Sequence, residues 1–327
     1  MFWISLAISS YFFSALSQTF DKILLKSRIP SPATYAFYTG LTSALVIVLL
    51  PFVGALSNLA LQITVIVMAL AAGVIFIPAI YFLFIALSRC DISRIVPIIG
   101  GSIPIFLLLI GLTAGIEQIS KQDFLGIALF VAGGFILATE IMSNERLDSF
   151  ATHIFGIRGK RLQICGIESR WGIGAALFSG FFFALTYYTS KIVYAAPSDF
   201  IPEFIWMRLG SVVGALIMLL IPMFRMQIFT MTPTISRSSA EFLFANKLIG
   251  ASSFLLLNAS FNAAANQSQI VIINALKGIE HLFIFILSFA LTLWRPNILM
   301  EPFDYHTIVL KLIGIIAIAF GFIAILG

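Results

Sequence analysis

Long apolar stretches separated by short polar breaks run through the whole chain. Ten can be delimited, at 2–22, 32–54, 62–88, 92–114, 122–140, 171–193, 200–222, 244–266, 269–294 and 306–326. Each is close to the roughly 20 residues that a helix needs to cross a hydrocarbon core of about 30 Å. Strand-like alternation of apolar and polar positions is absent, which disfavours a barrel. The pattern predicts an all-α membrane protein with ten transmembrane helices. The apolar start MFWISLAISSYFFSALS has small residues where a signal peptide would be cleaved, but it lacks a basic leading region and so reads as the first transmembrane helix.

The stretches also repeat. FSALSQTFDKILL at 13–25 lies over FFALTYYTSKIVY at 182–194, an offset of 169 that pairs Lys22 with Lys191. GLTSALVIVLLP from Gly40 then matches GSVVGALIMLLIP from Gly210, SRIVPIIGGSI from Ser93 matches SQIVIINALKG from Ser268, and GIALFVAGG from Gly126 matches GIIAIAFG from Gly314. Four segments recurring in one order at nearly constant spacing indicate a duplication. Five crossings per copy force the second copy upside down relative to the first. The expected layout is a five-helix repeat at 1–140, a polar basic linker at 141–170 and an inverted five-helix repeat at 171–327. Small residues such as Gly126, Gly174, Ala175, Gly180, Gly314 and Gly321 read as helix-packing positions, because lipid gives helices no hydrophobic drive to associate.

Composition agrees with the pattern: 60% of residues are hydrophobic and 10% charged, against about a quarter charged in a soluble domain. The net charge of +5 is an orientation signal and no sign of nucleic acid binding. Odd-numbered connections and their helix edges, with Lys247 counted among them, hold fifteen of the nineteen basic residues, and the even ones hold only Lys121 and Lys191. By the positive-inside rule the odd connections are cytoplasmic and both termini external, as a multi-pass protein of the cell (inner) membrane. Cys90 and Cys165 match no metal or redox spacing, so neither a metal nor a cofactor is expected.

Ionisable and amide side chains inside a bilayer are costly and mark function by default. The ninth stretch has the densest set: Asn274, Lys277 and His281 share a helical face, with Glu280 one position to the side. Lys277 lies about 12 Å deep, and Glu280 and His281 about 16–18 Å. Asn258, Asn262 and Asn266 form a stripe at four-residue spacing on the eighth stretch, and Arg208 is buried about 12 Å into the seventh. Arg208, Asn258 and Lys277 thus share a depth and read as one cationic site, suited to a carboxylate or phosphate. Asn262, Asn274 and Tyr187 join them as candidate substrate contacts. Glu280 and His281 are the titratable pair that proton coupling would use. Lys22 and Lys191 sit at matching helix ends and read as snorkelling or gate residues, flanked by Gln18, Asp21, Thr186, Tyr187 and Tyr188.

One stretch carries a family resemblance. YFLFIALSRCDISRIVPIIGGSIPIFLLLIGLTAGIEQISKQDFLGIALFVAGGFIL at 81–137 resembles the drug/metabolite transporter superfamily, specifically its ten-helix proteins with two EamA-type repeats. There an Ala-Leu pair closes the third helix (Ala86 and Leu87), a proline interrupts the fourth (Pro104), a glutamate ends it (Glu117) and a glycine-rich fifth follows (Gly126 and Gly133). Lys22 and Lys191 match the lysine common near the end of the family's first helix, and Arg208 the arginine of its second. Thr39 stands where the first-repeat arginine would be, Thr292 replaces the second-repeat glutamate, and Lys277, Glu280 and His281 lie outside the pattern. The resemblance implies transport of a small molecule without fixing which.

The expected function is secondary transport, as an exporter of a small anionic or zwitterionic metabolite such as an amino acid, by alternating access and with proton coupling in view. A small-molecule substrate and the lipid bilayer are the expected partners, a second copy of the chain is left open, and nucleic acid is not expected. An intramembrane serine hydrolase using Ser252 and His281 is the rival from another class, and a lipid flippase or a membrane scaffold a third. No GxxxxGK[ST] loop is present, so the chain itself is not expected to use ATP.

Overall fold

A computed structural model describes residues 2–27, 31–53, 61–90, 92–113, 121–138, 169–196, 200–231, 236–264, 267–294, 309, 312–317 and 320–321. All regular structure among them is helical. The helices are α1 (Phe2–Ser27), α2 (Pro32–Thr42), α3 (Ile63–Arg89), α4 (Ile92–Thr113), α5 (Lys121–Ala138), α6 (Ser169–Tyr194), α7 (Phe200–Met218), α8 (Pro222–Met231), α9 (Arg237–Ala263), α10 (Gln267–Ala275) and α11 (Gly278–Trp294). Ile63–Arg89, Trp171–Tyr194, Phe200–Met218 and Arg237–Ala263 are long and apolar enough to cross a membrane. Large apolar side chains such as Ile63, Val67, Trp171, Phe178, Leu220 and Met226 stand exposed on the outside, as in a membrane protein whose solvent there is hydrocarbon. The linker at 141–168 lies outside the described residues, as do Cys165, Asn266, Glu117 and most of the tenth stretch.

The helices depart from the apolar stretches in instructive ways. Ser31 caps α2 by accepting from the Thr34 amide, with Pro32 in the first turn, where its missing N–H leaves nothing unpaired. After Thr42 the second stretch tightens into a 3-10 helix at Ser43–Val53. The eighth stretch begins earlier than its hydropathy suggests, because Ser236 caps α9 at Ser239 and an exposed Arg237–Glu241 pair at 2.9 Å supports its first turn. The proline expected to interrupt the fourth stretch does not, since α4 runs through Pro104 unbroken.

The ninth stretch, expected as one helix, is broken into α10 and α11 at Leu276 and Lys277. There the Lys277 amide bonds the Asn274 carbonyl three residues back, and the Glu280 amide bonds the Lys277 carbonyl. The Ile273 carbonyl, which a continuous helix would give to the Lys277 amide, instead accepts the Tyr11 hydroxyl of α1.

Packing brings the first helices together with the later ones. α3 lies along α6 and α7, α1 along α9 and α11, and α4 along α6. The α3–α7 crossing is backbone to backbone: a Cβ on Gly73 would overlap the Met207 carbonyl and the Ser211 amide, and one on Gly210 would overlap Leu70. Close approach replaces the absent hydrophobic drive with dispersion contacts. Gly180 makes room for the Ser102 side chain of α4, whereas Gly174 faces open space and is no packing position.

Candidate functional site

Between these helices lies a cavity of about 130 Å³. α1 lines one side with Ser10, Tyr11, Ser14, Ser17, Gln18 and Asp21, a spacing that keeps polar groups on one helical face. Facing them are Thr39 and Thr42 of α2, an aromatic wall of Phe76, Phe84, Phe183, Tyr187 and Phe254, and three cations, Arg208, Lys247 and Lys277. Asp21 is the one carboxylate among the described lining residues.

Arg208 projects from α7 and is 8% exposed. Its Nη2 donates to Ser43 Oγ at 2.6 Å, at the junction where α2 becomes 3-10 helix. Its guanidinium carbon sits 4.6 Å from the ring centre of Phe254 and 5.2 Å from that of Phe76. Both distances are within cation–π range. Its Nη1 is buried with no hydrogen-bond partner, and among the described residues Arg208 forms no ion pair. A buried guanidinium holding an unused donor is the group in this cavity most in need of an anion.

Lys277 sits in the break between α10 and α11, so its side chain leaves a turn and not a regular helical face. Nζ is 3.6 Å from Glu280 Oε2 and 5.5 Å from the Phe183 ring centre. Glu280 itself is buried behind the lining, where Oε1 accepts from Gln18 Nε2 of α1. His281 does not line the cavity. Its Nε2 lies against Gly100 of α4, where an added Cβ would stand 2.7 Å away, and its Nδ1 is buried without a partner.

At another part of the cavity wall the carboxylate of Asp21 takes three donors on one oxygen. Lys247 Nζ reaches Oδ1 at 2.8 Å and Asn246 Nδ2 at 2.6 Å, and the Tyr35 hydroxyl donates to the same atom. The ammonium also stands 4.4 Å from the Tyr35 ring centre and 5.1 Å from that of Phe84. Sequence reasoning missed this cluster and counted Lys247 as a surface charge. Because α9 starts at Arg237, Lys247 lies ten residues in, or about 15 Å along the axis. The signal available was the polar face of α1, in which Asp21 continues Ser10, Ser14 and Ser17.

Of the expected contacts, the structure brings Arg208, Lys277 and Tyr187 to one cavity and leaves the asparagines out. Asn258 is buried, accepts from the Tyr194 hydroxyl at 3.0 Å and donates to the Phe254 carbonyl of its own helix. Asn274 donates to the Ile270 carbonyl one turn back. Asn262 is exposed in the last turn of α9, between the buried Phe261 and Ala264. Ser252 is exposed and bonds the Leu248 carbonyl, while His281 is held against α4, so the two are not brought together.

Lys22 and Lys191 have a job that snorkelling does not describe. Lys22 Nζ donates to the Leu87 and Cys90 carbonyls at 2.6 Å each, at the C-terminus of α3. Lys191 Nζ donates to the Phe261 and Ala264 carbonyls, at 3.4 and 2.7 Å, at the C-terminus of α9. Each ammonium bonds carbonyls at a helix end, where the macrodipole favours a cation, and the Phe261 carbonyl accepts the Ala264 amide as well. Two serines act as a similar pair: Ser10 Oγ donates to the Ser253 carbonyl and Ser179 Oγ to the Ala79 carbonyl.

No family model and no curated protein matches the sequence. Among solved structures, one described as "Crystal structure of protein" aligns with a TM-score of 0.61 at 14% identity, over 98% of this chain and 93% of its own. That likeness shows the fold alone.

Proposed function

We propose that the chain is a secondary transporter of the EamA type, an exporter in the cell membrane that moves a small anionic or zwitterionic metabolite by alternating access. The observation that carries the reading is the cavity enclosed by helices of both halves of the sequence and lined by Arg208, Lys247 and Lys277, with the Arg208 Nη1 unsatisfied. A purely structural arginine would be expected to meet its partner within the protein.

The two-repeat reading draws support from the hydrogen bonds just described. The donors Ser179 and Lys191 lie 169 residues after Ser10 and Lys22, and among the acceptors Ser253 (from Ser10) lies 174 after Ala79 (from Ser179), as Phe261 and Ala264 (from Lys191) lie 174 after Leu87 and Cys90 (from Lys22). Exchanging the halves therefore maps one set of contacts onto the other. Inversion is supported by the pairing of Ser10 with Ser253 and of Asp21 with Lys247, since α9 descends as α1 rises. The broken helix at Lys277 is the kind of element from which such transporters build a site near mid-membrane.

Thermal unfolding of the purified protein against a panel of carboxylates, phosphates, zwitterionic amino acids and quaternary amines tests the reading. An anion at 100 times its Kd should stabilise by about 2.7 kcal/mol. Stabilisation by the quaternary amines alone would overturn it.

A further inference from the structure

We propose that the substrate is a monoanionic acid built on a single aromatic ring and carrying no ammonium group; the inference rests on the transporter reading above and narrows it. The charge of the cavity, the way its rings are already used and its size each point to that class.

Taken at formal charge, the cations pair off until one is left. Lys247 stands 2.8 Å from Asp21 Oδ1, and Lys277 stands 3.6 Å from Glu280 Oε2. Arg208 has no carboxylate partner among the described residues. Glu203 of the same helix is buried and does not line the cavity. One excess positive charge out of water is balanced by one negative charge; a dianion overshoots and a zwitterion brings no net charge. A zwitterion has a second difficulty. The one carboxylate among the described lining residues, Asp21, already holds Lys247, so a substrate ammonium seated there would stand beside a protein ammonium.

An aromatic wall ordinarily favours a cationic guest, whose charge sits over a ring face. Here the protein's own cations take that role. Arg208 lies over Phe76 and Phe254, Lys247 over Phe84 and Lys277 over Phe183, at 4.6 to 5.5 Å from the ring centres. A quaternary amine entering the cavity would meet rings that already bear a cation, and three like charges. The rings also form a continuous row leading away from Arg208. Phe254 meets Phe76 at 5.0 Å between ring centres, Phe76 meets Phe183 at 5.9 Å, and Phe183 meets Tyr187 at 5.8 Å. An acid whose carboxylate pairs with the Arg208 guanidinium would lay its body along this row, where one more ring can stack offset or edge-on. The cavity volume of about 130 Å³ is close to that of an apolar cavity of about 150 Å³ that takes one benzene molecule. One ring is what it has room for.

Titration calorimetry of the purified protein with benzoate, cyclohexanecarboxylate, phenylacetate, phenylglycine and inorganic phosphate tests these features separately. Cyclohexanecarboxylate keeps the charge of benzoate and loses the aromatic ring, and should bind about 2- to 10-fold more weakly. Phenylglycine differs from phenylacetate only by its ammonium group, and should bind at least about 10-fold more weakly. Arg208→Met should weaken benzoate at least about 10-fold, which places the acid in this cavity. The inference is overturned, and the transporter reading left standing, by cyclohexanecarboxylate binding as tightly as benzoate or by phenylglycine binding no more weakly than phenylacetate. Benzoate affinity unchanged in Arg208→Met, or binding of phosphate without binding of benzoate, has the same effect. If neither phosphate nor any of the carboxylic acids binds, the anion reading of the cavity falls and this inference falls with it. The wild-type comparisons decide the matter even if the variant misfolds.

Discussion

Replacing Arg208 by methionine separates a binding role from a structural one. The substitution keeps most of the side chain's length and removes its charge. In the empty protein the guanidinium gains from the rings of Phe76 and Phe254, each worth about 0.5–2 kcal/mol. Its bond to Ser43 is worth about 1.5–3 kcal/mol for a charged donor. Against these stand the several kcal/mol of burying an ion without its counter-charge and about 1–3 kcal/mol for the unmade bond at Nη1. The two sides are of similar size, so Arg208→Met should change the unfolding free energy by less than about 2 kcal/mol. An anion, by contrast, loses a charge-assisted hydrogen bond worth about 1.5–3 kcal/mol, or a roughly 10- to 150-fold weaker Kd. Reversible unfolding in mixed detergent micelles and calorimetry with benzoate read the two quantities on the same sample. A loss of more than about 4 kcal/mol of stability with benzoate affinity unchanged would show that Arg208 holds the fold and not the ligand.

Two further outcomes follow from the packing. Gly73→Ala drives a methyl group into the α7 backbone at Met207 and Ser211, and should destabilise by about 1–3 kcal/mol, whereas Gly174→Ala, with nothing within 4 Å, should be neutral or gain up to about 1 kcal/mol of helix propensity; a melting comparison of the two checks the α3–α7 contact. Lys191→Met strands the Ala264 carbonyl at the end of α9, while the Phe261 carbonyl keeps the Ala264 amide, and should cost about 1–3 kcal/mol, with benzoate affinity unchanged because Lys191 does not line the cavity; a weakened affinity would return Lys191 to the site.

Hydropathy located most helices because a membrane leaves the backbone few alternatives, yet it misjudged where they end. α1 runs on to Ser27 and α9 starts at Arg237, since a polar residue next to an apolar stretch continues the helix wherever the backbone finds no better partner. Those extensions carried Asp21 and Lys247 from an apparent surface into the cavity. The break at Lys277 was signalled in the sequence only by Gly278, a weak helix former that many membrane helices tolerate, and the carbonyl it releases is satisfied by Tyr11, more than 250 residues earlier in the chain. The paired lysines were visible as an alignment, but their role as caps depends on which helix end folds against them. The asparagine stripe misled because regular spacing along α9 does not say which face stays covered: Asn258 is enclosed, and one turn later Asn262 is exposed although Phe261 and Ala264 beside it are buried. Arg208 and Lys277, which stood out because a cation in an apolar stretch is costly wherever the helices lie, both line the cavity.

The central claim, that the cavity serves as a pathway open to each side of the membrane in turn, is tested most directly by the accessibility of a single thiol within it. Ser17 lines the cavity and is 6% exposed, so Ser17→Cys, in a chain with Cys90 and Cys165 replaced, places a nearly isosteric thiol there. A membrane-impermeant thiosulfonate applied separately to each face of oriented vesicles should label it from both sides, and saturating benzoate should slow the labelling. Labelling from one face only, under every condition of pH and anion, would contradict alternating access.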